Sequence, residues 1–105
     1  GLQYVIPQIE SYSYAKLHLV LGFVKDKAVD EILQLFPQDA QFYLCAPKIP
    51  RALPTGDLER IAKDLELNYE IFPSVESAFS AAKNWADSND FIYVGGSTFV
   101  VAEIL

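Results

Sequence analysis

Short apolar runs alternate with stretches of helical periodicity along this chain, and that alternation carries the first structural expectation. Four runs read as strands: Leu17 to Val24 (LHLVLGFV), Gln41 to Ala46 (QFYLCA), Tyr69 to Phe72 (YEIF) and Phe91 to Val94 (FIYV). All are short and rich in β-branched or aromatic side chains. The first and last are almost continuously apolar, as strands covered on both faces are, so a parallel sheet is expected.

Between the runs the apolar spacing turns helical. Val29, Ile32, Leu33 and Phe36 fall at i, i+3, i+4 and i+7, which leaves Asp30, Glu31 and Gln34 facing water on a helix that Asp26 is placed to cap. Leu58, Ile61, Ala62 and Leu65 repeat the spacing behind Thr55 as N-cap, and Pro47, Pro50 and Pro54 confine the segment before them to a loop. Val75, Ala78, Phe79, Ala82, Trp85 and Ala86 form a third stripe behind Ser74, the expected cap after Pro73. Strand and helix thus alternate, which predicts a three-layer, Rossmann-like α/β domain with a mostly parallel sheet flanked by helices.

The two ends are less determined. Leu2, Val5, Ile6 and Ile9 are spaced as a helix stripe, yet Pro7 lacks an amide proton, so a truncated or kinked helix is expected there. The tail YVGGSTFVVAEIL reads either as a hairpin turning at Gly95-Gly96 or as strand, glycine turn and Ser97-capped helix, with local rules slightly favouring the hairpin.

Composition narrows the class without naming a function. The 105 residues suffice for one core and are too few for two, so residues 1–105 are expected to form a single domain. Apolar residues make up 51% and charged residues 21%, the balance of a chain that folds. No run approaches the roughly 18 apolar residues of a membrane helix and no basic leader opens the sequence, so a cytoplasmic setting without a membrane partner is expected. A formal charge of -6 argues against nucleic acid as partner. Cys45 has no second cysteine to pair with and is read as a small buried hydrophobe; His18, alone in an apolar run, is read as a core or edge-strand histidine.

In an open parallel sheet, ligands gather beyond the carboxyl ends of the strands. The loops there are Lys25-Asp26-Lys27, Pro47 to Thr55, Pro73-Ser74 and Gly95-Gly96-Ser97. Four of the eight basic residues, Lys25, Lys27, Lys48 and Arg51, lie in the first two loops of an otherwise acidic chain, an edge that would draw an anion. Arg51 is the strongest candidate, because its planar fork suits a carboxylate or phosphate and its loop is stiffened by proline. Asp26 is read both as an N-cap and as a contact to a metal, an ammonium group or a nucleotide. Gly95 and Gly96 let backbone approach a ligand, and the Ser97 hydroxyl at a helix start can bind a carboxylate, although a tight turn alone also explains the glycines. No GxxxxGK[ST] loop, GxGxxG or Ser/His/Asp set is present, so the chain offers a binding edge without a catalytic residue of its own.

The order LHLVLGFVKDK, the proline-flanked Arg51-Ala52-Leu53, SVESAFSAA at Ser74 to Ala82 and the closing YVGGSTFVVAEIL resembles the C-terminal domain of folylpolyglutamate synthases, often bifunctional with dihydrofolate synthase activity in bacteria, within the broader Mur ligase family. The resemblance runs from about Leu17 to Leu105, and its glycine-serine tail with the V-x-E ending is the most specific piece. One departure stands out: the family commonly has Asp-Lys-Asp after the first strand, and here Asp26-Lys27 is followed by Ala28.

The resemblance implies a fragment of a larger ligase, inactive alone, with Gly1-Leu2 just after the family's Asp-x-x-His-Asn junction. ATP would phosphorylate a carboxylate on folate or dihydropteroate, and the amino group of L-glutamate would attack the acyl phosphate to give an amide. ATP and Mg2+ would be held mainly by a preceding domain of the same chain. This domain would close over it, with Asp26, Lys27, Arg51 and Ser97 facing the cleft and the tail turning into a helix after Gly96. Two other readings stand beside it: a Mur-type peptidoglycan precursor ligase domain, and a non-catalytic Rossmann-like module binding a small anion.

Overall fold

The computed structural model of the protein describes residues 2–105. Helix α1 (Leu2–Ser11) leads into β1 (Leu17–Leu21), α2 (Val29–Leu35), β2 (Gln41–Leu44), α3 (Thr55–Asp64), β3 (Asn68–Ile71), α4 (Val75–Trp85), β4 (Phe91–Gly95) and α5 (Thr98–Ala102). The four strands form one sheet in the order β3-β2-β1-β4, and every pairing is parallel.

Two-residue alternation along the strands divides the core into two apolar layers. Leu17, Leu19 and Leu21 of β1 and Phe42 and Leu44 of β2 face Ile9 of α1, Val29 and Leu33 of α2, and Leu58 and Ala62 of α3. Val20, Tyr43 and Cys45 point the other way, against Val75, Ala78 and Ala82 of α4 and Val100 of α5. Burial on this scale stabilises the fold by about 1.5–3 kcal/mol for each Val, Leu or Phe side chain removed from water. The all-buried β1 lies between two neighbours and beneath helices on both faces, which is why its sequence shows no polar face.

Local chemistry explains most element ends. Ser74 caps α4 with a reciprocal box: its hydroxyl accepts from the Ser77 amide at 3.0 Å while the Ser77 hydroxyl accepts from the Ser74 amide at 3.2 Å. Helix α1 runs through Pro7 to Ser11, so that proline does not stop it. Its stripe faces inward, with Ile9 buried and Val5 and Ile6 packed against the same layer. Gly1, together with the side chains of Leu2 and Gln3, lies outside the described residues. The tail is strand, glycine turn and helix rather than hairpin, because β4 joins the sheet beside β1 and no strand follows it among the described residues.

Two expected caps are corrected. Asp26 does not cap α2: the helix starts at Val29, Ala28 occupies the cap position, and no side chain bonds the free amides. Three residues of turn separate Val24 from Ala28, so Asp26 sits too far back to reach those amides. Thr55 is the first helical residue of α3 and Pro54 is the cap, its carbonyl accepting from Asp57 and Leu58 at 3.1 and 3.2 Å. No described helix is long and apolar enough to cross a membrane.

Candidate functional site

The strand order fixes where a ligand can enter. From β1 the chain passes through α2 to β2 on one side, while β4 lies on the other side of β1 and leads into α5. Because α2 and α5 belong to opposite layers, the chain diverges between the carboxyl ends of β1 and β4 and leaves a crevice there. A cavity of about 570 Å3 opens at this point. Its walls are Val5, Ile32, Tyr93, Val101, Ala102 and Leu105, and its polar rim is Lys27 with Gly95, Gly96, Ser97 and Thr98.

The glycines are there because two strand ends approach closely. Gly96 has φ +90, and a Cβ on it would overlap the Gly22 carbonyl oxygen and come within 3.0 Å of the Phe23 ring. Gly22 is as crowded, since a Cβ would meet the Cys45 carbonyl oxygen at 2.8 Å, Val100 at 3.0 Å and Pro47 at 3.3 Å. The Ser97 hydroxyl accepts from the Phe99 amide at 3.1 Å, which leaves its own proton free to donate.

The basic loops are joined by backbone. Val24 and Ala52 form an isolated antiparallel bridge, the Lys25 amide donates to the Arg51 carbonyl at 2.9 Å, and the Leu53 amide donates to the Phe23 carbonyl at 2.8 Å. Across this seam the Arg51 guanidinium meets the Asp26 carboxylate at 2.7 Å. Both side chains are open to solvent, 64% and 74% exposed, so the pair is available to a partner or ligand.

The structure therefore sorts the sequence candidates into two groups. Lys27, Gly95, Gly96 and Ser97 share the cavity, whereas Asp26 and Arg51 form an exposed ion pair on the adjoining seam and are not among its lining residues. Since Asp26 and Lys27 are consecutive, the groups are contiguous. Among the described residues, no three of His, Cys, Asp and Glu gather as a cation site would require.

Two features escaped the sequence reading. The Glu103 carboxylate accepts from the Lys48 amide at 2.6 Å, joining the end of α5 to the β2–α3 loop. At the opposite end of the sheet His18 is buried between two partners, with Nδ1 2.7 Å from the Tyr43 hydroxyl and Nε2 2.8 Å from the Asp90 carboxylate. Burial, then the nearby charges of Asp90 and Glu70, push the Tyr43 hydroxyl up to about 12, so it stays protonated. In the neutral ring Nε2–H donates to Asp90 and Nδ1 accepts from Tyr43. Cys45 is a fully buried thiol, pushed up to about 12 by burial and then by the charge of Glu103. Spacing could not foretell contacts between such distant residues; only the V-x-E phrase marked Glu103 at all.

A family model described as the Mur ligase, glutamate ligase domain matches residues 1–98. The chain belongs to that family. Within the glutamate ligase domains it is similar to those of folylpolyglutamate synthases. A probable bifunctional folylpolyglutamate synthase/dihydropteroate synthase of Haloferax volcanii is 31% identical over 96 residues, which are 90% of this chain and 12% of that protein. The bifunctional folylpolyglutamate synthase/dihydrofolate synthase of Yersinia pestis superposes with TM-score 0.82 at 25% identity, covering 97% of this chain and 24% of that one. Its complex with AMPPNP and a Mn ion gives 0.77 at 26% identity, over 98% of this chain and 24% of that one. The glutamate ligase domain described here thus spans about a quarter or less of the length of these relatives.

Proposed function

We propose that this domain is the C-terminal part of an ATP-dependent ligase that adds L-glutamate to folate. The observation that carries the reading is the crevice between β1 and β4, where Lys27 and the Gly95-Gly96-Ser97 turn face a cavity in a domain of the glutamate ligase family. In the whole ligase the folate carboxylate takes the terminal phosphoryl group of ATP, releasing ADP. The glutamate amine then attacks that acyl carbon, phosphate leaves, and an amide forms.

The sequence has no phosphate-cradling GxxxxGK[ST] loop, so ATP and Mg2+ fall to a preceding domain of the same chain. The present domain contributes cations and donors at the cleft. Lys27 and Arg51 would attract and orient carboxylate or phosphate oxygens, and Ser97 would donate its free hydroxyl proton to one of them. Asp26 holds Arg51 until a ligand competes for it, or itself meets the glutamate ammonium group. Closure of the two domains would complete the site, so the 105-residue domain alone is inactive and works in the cytoplasm as part of the longer chain.

ADP release by the full-length ligase, with tetrahydrofolate or dihydropteroate, L-glutamate and Mg-ATP each omitted in turn, tests the proposal. Release that requires every component supports it. Release indifferent to folate would transfer the domain to another Mur-type substrate.

A further inference from the structure

Helix α5 and the β2–α3 loop meet over the carboxyl ends of β1 and β2, and the crowding around Gly22 shows how closely. Val100 of α5 and Pro47 of the loop both press on it, with the Cys45 carbonyl between them. The polar tie across this meeting point is Glu103. Its carboxylate accepts from the backbone amide of Lys48 at 2.6 Å, leaving the Lys48 ammonium group out of the bond. The charge of the same carboxylate adds to the rise that burial imposes on the thiol of Cys45, the residue after β2. On one side of the tie lies α5, which begins at the Gly95-Gly96-Ser97 turn; on the other lies the loop that carries Arg51.

We propose that Glu103 is a positioning residue, a latch that fixes the Arg51 loop against α5 so that Arg51 and the Gly95-Gly96-Ser97 turn keep one mutual geometry. The inference deepens the ligase reading and rests on it for its functional half. A side-chain oxygen acceptor is what such a latch needs. The Lys48 amide lies in an exposed loop where water competes for it, and a carboxylate holds an amide more strongly than a neutral oxygen does. Without the latch the loop remains fastened to the segment after β1 through the Val24–Ala52 bridge, but its Lys48 amide loses its partner. Arg51 then samples more positions, and the binding of an anionic substrate must order it.

Glu103→Ala and Glu103→Gln test this in two arms. In the 105-residue chain, exchange of the Lys48 amide is expected to quicken by about tenfold in Glu103→Ala, while Glu103→Gln, which keeps an oxygen acceptor, stays within about threefold of the parent. In the full-length ligase, Glu103→Ala is expected to raise the KM for L-glutamate or ATP by roughly five- to tenfold with kcat little changed, and Glu103→Gln to restore most of it. Unchanged exchange in Glu103→Ala overturns the latch. Faster exchange with an unchanged KM overturns the positioning role. A ligase that shows no folate-dependent activity sinks the functional reading instead, and the exchange arm then decides the latch by itself.

Discussion

His18 Nε2 lies 2.8 Å from the carboxylate of Asp90, a residue 72 positions further along the chain. The contact joins β1 to the turn before β4, and Tyr43 completes the line from β2 at 2.7 Å from the other ring nitrogen. Every member is satisfied, and no buried side-chain nitrogen or oxygen among the described residues lacks a partner. A complete buried network is costly to break at one point, because the group left behind has lost its water as well as its partner. Tyr43→Phe removes only a hydroxyl and keeps the ring contacts with Phe72 and Trp85. It is expected to cost about 1–3 kcal/mol in urea unfolding, through the orphaned Nδ1. An unchanged midpoint would mean that the network carries no stability.

The same network gives the acid limb of stability a direction. The Asp90 carboxyl is held below its ordinary value of 3.8, first by the Asp87 amide and then by its bond to His18. A group depressed on folding stabilises the protein fully above the unfolded value, and that contribution is lost as pH falls through the folded value. The protein should therefore lose stability as pH drops below 3.8 toward the depressed value of Asp90. Asp90→Asn should flatten that part of a plot of Tm against pH. An equally steep limb in the variant would assign the effect to other carboxylates.

Gly96→Ala probes the closure of the crevice. At φ +90, with the Gly22 carbonyl in the way, an added methyl group meets both backbone strain and overlap. The expected loss is at least about 2 kcal/mol, measured by thermal unfolding. Gly56→Ala is the control, because nothing lies within 4 Å of a Cβ there. It should be neutral or mildly stabilising in α3.

Arg51→Ala separates stability from function. The pair with Asp26 is exposed on both sides, so its removal should shift unfolding by less than about 1 kcal/mol. In the full-length ligase the same change is expected to raise the glutamate or ATP requirement with the fold intact. Unaltered kinetics would remove Arg51 from the site.

Much of this was legible before any coordinates, and the reasons differ by element. The LHLVL run, apolar but for His18, could only be a strand covered on both faces, and the 3.6-residue stripe of Val29, Ile32 and Leu33 could only bury one side of a helix. Ser74 was readable because a cap acts within its own turn. Asp26 misled for the same reason: local rules offer an aspartate before a helix its nearest job, whereas its partner Arg51 comes from another loop. The tail turned on tertiary context, since a strand after Gly96 would need a sheet edge to pair with, while Val100 finds a buried place against Val20 and Cys45. His18, Tyr43 and Asp90 share no spacing that a pattern could register. Of the candidate site residues, the cavity set of Lys27, Gly95, Gly96 and Ser97 followed from the loop rule for parallel sheets, but Glu103 lay outside every such rule.

The pairing of Leu17 with Phe91 has a consequence for the chain as it is made. Synthesis delivers β1, β2 and β3 before β4, so a nascent chain has three strands of the sheet while one edge of β1 still shows open amides and carbonyls beneath side chains that are aliphatic except for His18. That edge is the kind of surface on which chains add to one another. A product ending before Phe91 would carry it permanently and would be prone to aggregate. Strand β4, made after the rest of the sheet, thus covers the molecule's most adhesive strand and, in the same step, creates the crevice.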